Sequence, residues 1–255
     1  MRIIAITQAR IGSTRFPNKI LKKIGNKTIL DIHLNRVLKS KRISKLIVAT
    51  TFEEGVEQIL EIANNNNVAY YQGDTNNVLD RYYQAASKEN PDFVVRLTSD
   101  CPLIDATLID KVIDFAIKND LDYCSNCLIE NYPDGQDIEI FKFSALKKTW
   151  LEATLPSEKE HVSSYIYKNS TFKGNDIFKA ENYCDITENF KNIRLTVDEK
   201  PDFVVVEQLV KNLGIDATWQ QYTNYYIENN IAKLNADIIR NEGYLKSLKK
   251  DKEIE

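Results

Sequence analysis

The chain has 255 residues, of which 43% are hydrophobic and 28% are charged. This length suits one large globular domain, and the net charge of −3 argues against non-specific binding of nucleic acid. No run approaches the roughly 18 apolar residues of a membrane span, and the N-terminus enters a strand pattern without a signal peptide. Four cysteines are too few for a disulfide framework, so we expect a cytoplasmic protein.

The first hundred residues alternate between short apolar runs and amphipathic stretches. We predict strands over 3–7, 46–50, 68–71 and 93–97, with helices over 29–38, 56–64 and 78–87. This βαβα alternation predicts an α/β fold with a mostly parallel sheet covered on both faces. Ligands of such sheets bind beyond the carboxyl ends of the strands, so the loops at that edge are candidates for a site.

The pattern changes after about residue 120. Further strands are predicted over 122–126, 138–143, 172–178 and 193–197, with helices over 144–152, 157–167 and 202–211. We expect one domain over 1–215 and a polar helical tail over 216–255. The tail is rich in aromatic residues, which leaves open whether it packs on its own domain or on a partner in a homodimer.

The segment from Ala9 to Lys19 carries three cations around one glycine, directly after the first predicted strand. Gly12 permits positive φ and a close approach of the backbone to a ligand, and exposed loop amides bind anions. Arg10 and Arg15 offer bidentate forks, and Lys19 offers a point charge. These features suit a polyphosphate, although a solvated basic loop is the simpler interpretation of a charge run.

Two aspartates follow predicted strands and should lie at the same edge of the sheet. Asp100 comes after 93–97, and Asp198 comes after 193–197. Carboxylates in this position suit Mg²⁺, with waters and substrate phosphates completing its coordination. The competing interpretations are a structural turn at Asp100 and a helix N-cap at Asp198, and Asp105 is expected to cap the next helix.

Two further acids and a histidine are candidates for binding a substrate. Asp137 and Glu139 follow a Pro-Asp-Gly turn and are predicted to share one strand face, where a cation or substrate hydroxyls would relieve their repulsion. An exposed polar strand face is the alternative. Ser157 and Glu160 are predicted to form a capping box, which leaves His161 unexplained, although a lone histidine is more often structural than catalytic.

Seven segments of the chain carry a family resemblance. In order they are ARIGSTRFPNK, VLDRYYQAA, TSDCPLID, YPDGQDIE, PSEKEHVSSYIY, RLTVDEKPDF and RNEGYLKSL. Together they resemble the spore-coat polysaccharide biosynthesis protein F group of the acylneuraminate and 3-deoxy-manno-octulosonate cytidylyltransferase family. The resemblance implies a three-layer α/β sandwich of the Rossmann-like nucleotide-diphospho-sugar transferase type, with a mixed, mostly parallel sheet. It also implies a Mg²⁺-dependent enzyme that transfers CMP from CTP to an acidic sugar or related acceptor, releasing pyrophosphate, for surface polysaccharide biosynthesis.

The resemblance also assigns residues by position. It implies that the catalytic cations of a CTP phosphate loop are Arg10, Arg15 and Lys19, with Ala9, Gly12 and Ser13 binding the nucleotide beside them. It implies that Asp100 and Asp198 are metal ligands and that Arg81 contacts the nucleotide.

The base and acceptor sites are assigned less directly. The octulosonate enzymes carry Gln-Gly-Asp where this chain has Thr98-Ser99-Asp100, so their base-reading glutamine is replaced by Thr98. We expect the base near Thr98 and near a backbone carbonyl between 49 and 51, which includes Thr51. Asp137, Glu139 and His161 are then the candidates for binding the acceptor.

Three other functions compete with this hypothesis. The first is CTP-dependent activation of a phosphate or phosphonate acceptor, which a basic pocket around Asp137 and Glu139 would favour over a polyhydroxy substrate. The second is a glycosyltransferase of similar fold that consumes a nucleotide sugar, and the third is a non-catalytic nucleotide-binding protein.

Overall fold

The computed structural model of the chain describes residues 1–13 and 15–251. Its strands are β1 (Ile3–Gln8), β2 (Lys23–Ile24), β3 (Lys27–Thr28), β4 (Lys45–Thr50), β5 (Ala69–Gln72), β6 (Phe93–Thr98), β7 (Tyr123–Ser125), β8 (Glu139–Lys142) and β9 (Ala180–Asn182). Its helices are α1 (Ile29–Val37), α2 (Glu57–Asn65), α3 (Val78–Ser87), α4 (Ala106–Lys118), α5 (Phe143–Glu152), α6 (Pro156–His161), α7 (Ser164–Lys168), α8 (Lys200–Leu213), α9 (Trp219–Glu228) and α10 (Glu242–Asp251).

The main sheet has the strand order β5-β4-β1-β6-β8-β7-β9. Strands β5, β4, β1 and β6 are parallel, so their carboxyl ends meet at one edge. Strand β8 is antiparallel to both of its neighbours, whereas β9 is parallel to β7. The mixed, mostly parallel sheet that was expected is therefore present, and the short strands β2 and β3 pair separately.

Apolar side chains fill both faces of this sheet and so produce three layers. Helices α1, α2 and α4 cover one face, with Leu34 and Val112 in their shared core. Helices α3 and α5 cover the other face, with Tyr82 and Leu146 buried there. The central strands are apolar at nearly every position because both of their faces are covered.

The early predicted elements are confirmed to within one or two residues, but three later predictions are wrong. The predicted strand 172–178 contains a turn at Gly174 (φ 81°), and the edge strand is β9 instead. The predicted strand 193–197 forms only one isolated bridge, between Arg194 and Asp134. The predicted helix 157–167 is divided into α6 and α7 at Val162, whose φ is 55°.

The capping predictions also have mixed outcomes. Asp105 does cap α4, since its side chain accepts hydrogen bonds from the amides of Thr107 and Leu108. Ser157 does not cap α6, which instead begins after Leu155. Asp198 is not an N-cap either, because the N-cap of α8 is Glu199. The structural explanation for Asp198 that the sequence offered is therefore removed.

The C-terminal elements pack against the same chain. Helix α9 contacts α8, and α10 contacts α6. The carboxylate of Asp251 accepts hydrogen bonds from the amide and the hydroxyl of Ser157, at 3.0 and 2.5 Å. Among residues 1–13 and 15–251, no helix is long and apolar enough to cross a membrane.

Candidate active site

A cavity of about 970 Å³ opens at the carboxyl ends of β1 and β6. This is the edge at which parallel α/β sheets bind their ligands. Of the predicted site residues, those that line it are Arg10, Ser13, Arg15, Lys19, Thr98, Asp100, Asp137, Glu139, His161 and Asp198. The fold thus brings the basic loop, both aspartates and the acceptor candidates to one cavity.

Lys19 is at the centre of the charged cluster in this cavity. Its Nζ donates to Asp100 Oδ2 and to Asp198 Oδ1, each at 2.8 Å. Burial opposes the charge of Lys19, but the two carboxylates outweigh that effect and raise its pKa. Burial likewise opposes the charge of Asp100, and Lys19 nevertheless lowers the pKa of that carboxyl to about 2. Lys19 and Asp100 are therefore both charged at neutral pH.

The basic loop supplies two arginines to the same region. Arg15 lies 3.0 Å from Asp198 and 3.5 Å from Glu242 at the start of α10. Arg10 is exposed and lines the cavity. Gly12 does not adopt positive φ, so that part of the prediction is wrong. Its amide donates to Glu53 at 3.2 Å.

The segment 193–197 positions Asp198. Its backbone contacts two loops rather than the sheet: the amide of Val197 donates to Asp100 O at 2.7 Å, and that of Leu195 donates to Asp134 O at 2.7 Å. The approach is close enough to require Gly135, because a Cβ there would lie 2.7 Å from the backbone of Leu195. These contacts hold Asp198 near Asp100, and both residues line the cavity.

Two arginines separately form ion pairs with Asp137 and Glu139, the acids that were predicted to bind the acceptor. Glu139 forms an ion pair with Arg96 and accepts a hydrogen bond from the Tyr123 hydroxyl at 2.7 Å. Asp137 accepts one from Arg240 at 2.7 Å. The repulsion that a bound cation or substrate hydroxyls were expected to relieve is therefore already relieved by two cations of the protein itself, Arg96 and Arg240.

Sequence reasoning missed Arg96 as a site residue. It lines the cavity from β6, two residues before Thr98. The signal was a single cation inside the apolar run FVVRLT. A buried charge is costly unless it is paired, so such a residue marks either a buried ion pair or a ligand site.

His161 lies at the boundary between the cavity and the C-terminal helix. Its Nε2 is 2.7 Å from Ser247 Oγ, and its ring makes an edge-to-face contact with Tyr244. Burial, followed by the charge of Arg96, lowers the pKa of His161 to about 4. The imidazole is therefore neutral at pH 7, and α10 holds it in place.

Four predicted nucleotide-binding residues lie outside the cavity lining. They are Ala9, Gly12, Thr51 and Arg81. Thr51 is buried, and its carbonyl already accepts a hydrogen bond from Gln72 at 3.1 Å. The buried side chain of Arg81 donates to Asp74 O at 2.8 Å.

Asp100 and Asp198 have the ligand chemistry for a hard cation, since carboxylate oxygens are preferred by Mg²⁺. No group of three or more metal-binding side chains occurs in the part of the chain that the structure describes. Two carboxylates that share one ammonium fit a cation that takes its other ligands from waters and the phosphates of a nucleotide. The residues present therefore fit a substrate-dependent Mg²⁺ site.

A mixed, mostly parallel sheet with a cluster of cations and two aspartates at its carboxyl edge is the arrangement expected of a nucleotidyltransferase. The sequence profile described as cytidylyltransferase matches residues 4–234, and the chain belongs to this family. It is a cytidylyltransferase, as the family resemblance predicted.

Two relatives match most of the chain. An uncharacterised protein of Methanocaldococcus jannaschii is 38% identical over 93% of this chain and 96% of its own length. The spore coat polysaccharide biosynthesis protein SpsF of Bacillus subtilis is 30% identical over 83% of this chain and 88% of its own length.

Solved structures confirm the fold. A cytidylyltransferase from Leptospira borgpetersenii superposes with a TM-score of 0.86 and 33% identity, over 94% of this chain and all of that one. A CMP:2-keto-3-deoxy-manno-octonic acid synthetase complexed with CTP gives a TM-score of 0.60 over 83% of this chain and 99% of that one. Its identity is 16%, so the likeness concerns the fold alone.

Proposed function

We propose that the enzyme transfers CMP from CTP to an acidic sugar or related acceptor, with Mg²⁺, and releases pyrophosphate. The observation that carries this proposal is the cluster of Arg15, Lys19, Asp100 and Asp198 within one cavity. It combines cations that suit a triphosphate with carboxylates that suit the accompanying metal ion. The name of the Bacillus relative supports a role in the synthesis of a surface polysaccharide.

In this reaction an acceptor hydroxyl attacks the α-phosphorus of CTP. A bond forms from the acceptor oxygen to that phosphorus, the bond from the phosphorus to the oxygen that bridges to the β-phosphate breaks, and pyrophosphate leaves while the hydroxyl proton passes to solvent water. Arg10, Arg15 and Lys19 stabilise the charge on the phosphoryl oxygens and on the leaving group. A Mg²⁺ held by Asp100 and Asp198 would supply further charge neutralisation.

The cavity must rearrange when the nucleotide binds. Lys19 and Arg15 are occupied by Asp198 and Asp100 in the structure. Phosphate oxygens would compete for these donors, and a metal ion would take over the carboxylates. The exchange leaves no charge unpaired, because the triphosphate brings the negative charge and the metal ion brings the positive charge.

The acceptor side of the cavity supports an acidic polyhydroxy compound. Tyr123, Ser163, Ser164, Tyr167 and Tyr244 surround it with hydroxyl groups. Asp137, Glu139 and His161 line the same cavity as these hydroxyl groups, which supports their assignment to acceptor binding. Hydroxyls and paired charges recognise polyols by hydrogen bonding, and Arg96 adds a cation for an acidic group.

Pyrophosphate release provides the direct test. Purified enzyme with Mg²⁺ is assayed with CTP, UTP, ATP or GTP against 2-keto sugar acids and phosphorylated polyols. We expect release that requires both CTP and a sugar acid. Turnover with phosphorylated polyols alone would favour the phosphate-acceptor alternative. Release of a nucleoside mono- or diphosphate from a nucleotide sugar would instead identify a glycosyltransferase.

A further inference from the structure

Part of the cavity wall comes from a segment outside the match to the family. The cytidylyltransferase profile covers residues 4–234, whereas α10 begins at Glu242. Four residues at the start of this helix and just before it line the cavity, namely Asn241, Glu242, Gly243 and Tyr244. A wall that the family profile does not include is a place where one cytidylyltransferase can differ from another in the acceptor that it selects.

The first turn of α10 connects the two sides of the cavity. Glu242 lies 3.5 Å from Arg15 of the basic loop. Two residues further on, the ring of Tyr244 makes an edge-to-face contact with His161 on the acceptor side, with the ring centroids 5.0 Å apart. An acceptor hydroxyl that attacks a phosphate held by the basic loop has to lie between these two sides. The first turn of α10 therefore borders the space that the acceptor needs.

Polar contacts hold α10 against α6 along its length. Ser247 Oγ lies 2.7 Å from Nε2 of His161. At the end of the helix, the carboxylate of Asp251 accepts hydrogen bonds from the amide and the hydroxyl of Ser157. Ser247 and Asp251 are both buried. Helix α10 is therefore fixed to the domain at two points, and Tyr244 is presented to the cavity in a defined position.

Arg240, just before α10, supports the acceptor side from behind. Its Nη2 donates to Asp137 Oδ1 at 2.7 Å, and its Nη1 donates to Tyr132 O at 3.3 Å. Asp137 lines the cavity, whereas Arg240 is outside the lining. The segment 240–251 thus both holds one predicted acceptor residue in place and adds a new side chain, Tyr244, to the same side of the cavity.

The phenol of Tyr244 has the chemistry to bind a sugar hydroxyl. The side chain is half-buried, and Ser164 beside it also lines the cavity. Burial raises the pKa of Tyr244, and the neighbouring Ser164 side chain opposes that shift. The phenol is therefore protonated at neutral pH, and its hydroxyl can both donate and accept a hydrogen bond. A sugar hydroxyl has the same two capacities.

We propose that the segment 240–251 selects the acceptor and that the hydroxyl of Tyr244 binds one hydroxyl group of the sugar acid. Ser247 and Asp251 are positioning residues, because they hold α10 in place and do not line the cavity. The acceptor class that this arrangement selects is a polyhydroxy acid with a hydroxyl group within reach of Tyr244. The assignment rests on the proposed transfer to a sugar acid.

The test is steady-state pyrophosphate release with the best 2-keto sugar acid and with analogues of it that each lack one hydroxyl group. Tyr244→Phe removes the phenolic hydroxyl and keeps the ring beside His161. We expect the KM for the sugar acid to rise about fivefold or more, while kcat and the calorimetric affinity for CTP stay within about twofold. For the analogue that lacks the contacted hydroxyl, Tyr244→Phe and the wild type should have the same KM.

Asp251→Ala tests the positioning role, with thermal melting as the check on folding. Displacement of α10 should raise the KM for the sugar acid and for every analogue alike. Adding Tyr244→Phe to this variant should then change the KM little, because the two substitutions remove the same contact. Asp251→Asn keeps an oxygen that accepts hydrogen bonds and should restore part of the wild-type KM.

Tyr225→Phe is the matched control, since Tyr225 is a half-buried tyrosine of α9 outside the cavity lining. An unchanged KM in Tyr244→Phe, or an equal rise of KM for the sugar acid and all of its analogues, would overturn the proposal.

Saturation-transfer NMR with the same sugar acids separates this proposal from the proposed reaction, because it detects binding without turnover. Binding of a sugar acid that weakens in Tyr244→Phe, without pyrophosphate release, would overturn the proposed transfer alone. A wild-type enzyme that neither binds nor turns over any sugar acid would overturn both.

Discussion

Lys19 Nζ lies 2.8 Å from Asp198 Oδ1, although 179 residues separate them in the sequence. The same ammonium lies 2.8 Å from Asp100 Oδ2. One lysine of the basic loop therefore joins Asp100, which follows strand β6, to Asp198, which follows the loop segment 193–197, and its charge lowers the pKa of Asp100.

Removing this cation should destabilise the protein in a pH-dependent way. Lys19 lowers the pKa of Asp100 to about 2, from 3.8. A depressed carboxyl pKa stabilises the fold above pH 4, and this contribution is lost as the pH falls from about 4 to 2. Lys19→Met should therefore lower the free energy of unfolding by about 2 kcal/mol at pH 7 and by less at pH 3.

Urea unfolding at pH 7, 4 and 3 measures this difference. The exposed neighbour Lys23→Met serves as the control. A loss of stability that is the same at all three pH values would show that the ion pairs of Lys19 do not determine the pKa of Asp100.

Arg15→Ala should weaken CTP binding about tenfold or more, because a hydrogen bond to a charged group contributes about 1.5–3 kcal/mol. Arg15→Lys should recover only part of the affinity, since the bidentate geometry is lost. Calorimetry with CTP measures both, and Arg42→Ala, an exposed arginine paired with Asp114, is the control. Wild-type affinity in Arg15→Ala would exclude Arg15 from the phosphate site.

Much of the architecture could be predicted because its signals are local. Helix α3 begins and ends where the sequence predicted, and the parallel strands were marked by apolar runs that two covered faces require. From there, the rule that ligands bind at the carboxyl edge was enough to place Lys19 near Asp100, whereas Asp198 reaches them from a segment that was wrongly predicted to be a strand.

The remaining features depend on contacts that are distant in sequence. The run 193–197 has the composition of a strand, but its amides donate to the carbonyls of Asp100 and Asp134, so it joins two loops instead. The hydrophobic periodicity of the sequence does not show whether the segment 193–197 pairs with the sheet or with the two loops. The pairing of Glu139 with Arg96 was equally invisible, because charge neutralisation across strands depends on the register between β6 and β8.

Asp100→Asn and Asp198→Asn should each keep the fold but lose activity that added Mg²⁺ does not restore, since an amide is a poorer ligand for a hard cation. Pyrophosphate release across a Mg²⁺ titration measures the effect, and thermal melting checks the fold. Asp114→Asn at the surface is the control. An unfolded Asp100→Asn together with a fully active Asp198→Asn would assign both residues a structural role.

The buried His33 should give the protein an acid sensitivity that is unrelated to catalysis. Its ring lies 2.9 Å from Thr7 Oγ1 and 3.0 Å from Cys101 O. Burial lowers the pKa of His33 from 6.5 to about 4. The unfolded chain therefore binds one more proton between these values, so the free energy of unfolding should fall by about 3 kcal/mol as the pH drops from 6.5 to 4.

Urea unfolding of His33→Gln across this range should show a shallower dependence on pH. Thr7→Val is the matched control, because it removes the hydroxyl partner but keeps the titrating ring. The same slope in His33→Gln and in the wild type would contradict the assignment.

Arg96 offers the last test, on the acceptor side of the cavity. Its side chain is 14% exposed and forms an ion pair with Glu139, while its Nε has no hydrogen-bond partner among the described residues. If Arg96 binds the acidic group of the acceptor, Arg96→Gln should raise the KM for the best sugar acid at least tenfold and leave the CTP affinity unchanged. Arg96→Lys should raise the KM by less than Arg96→Gln does, because lysine keeps the charge but not the bidentate geometry of the guanidinium. The exposed Arg2→Gln is the control. A purely structural ion pair would lower the melting temperature of both Arg96 variants without changing KM, and that result would exclude Arg96 from acceptor binding.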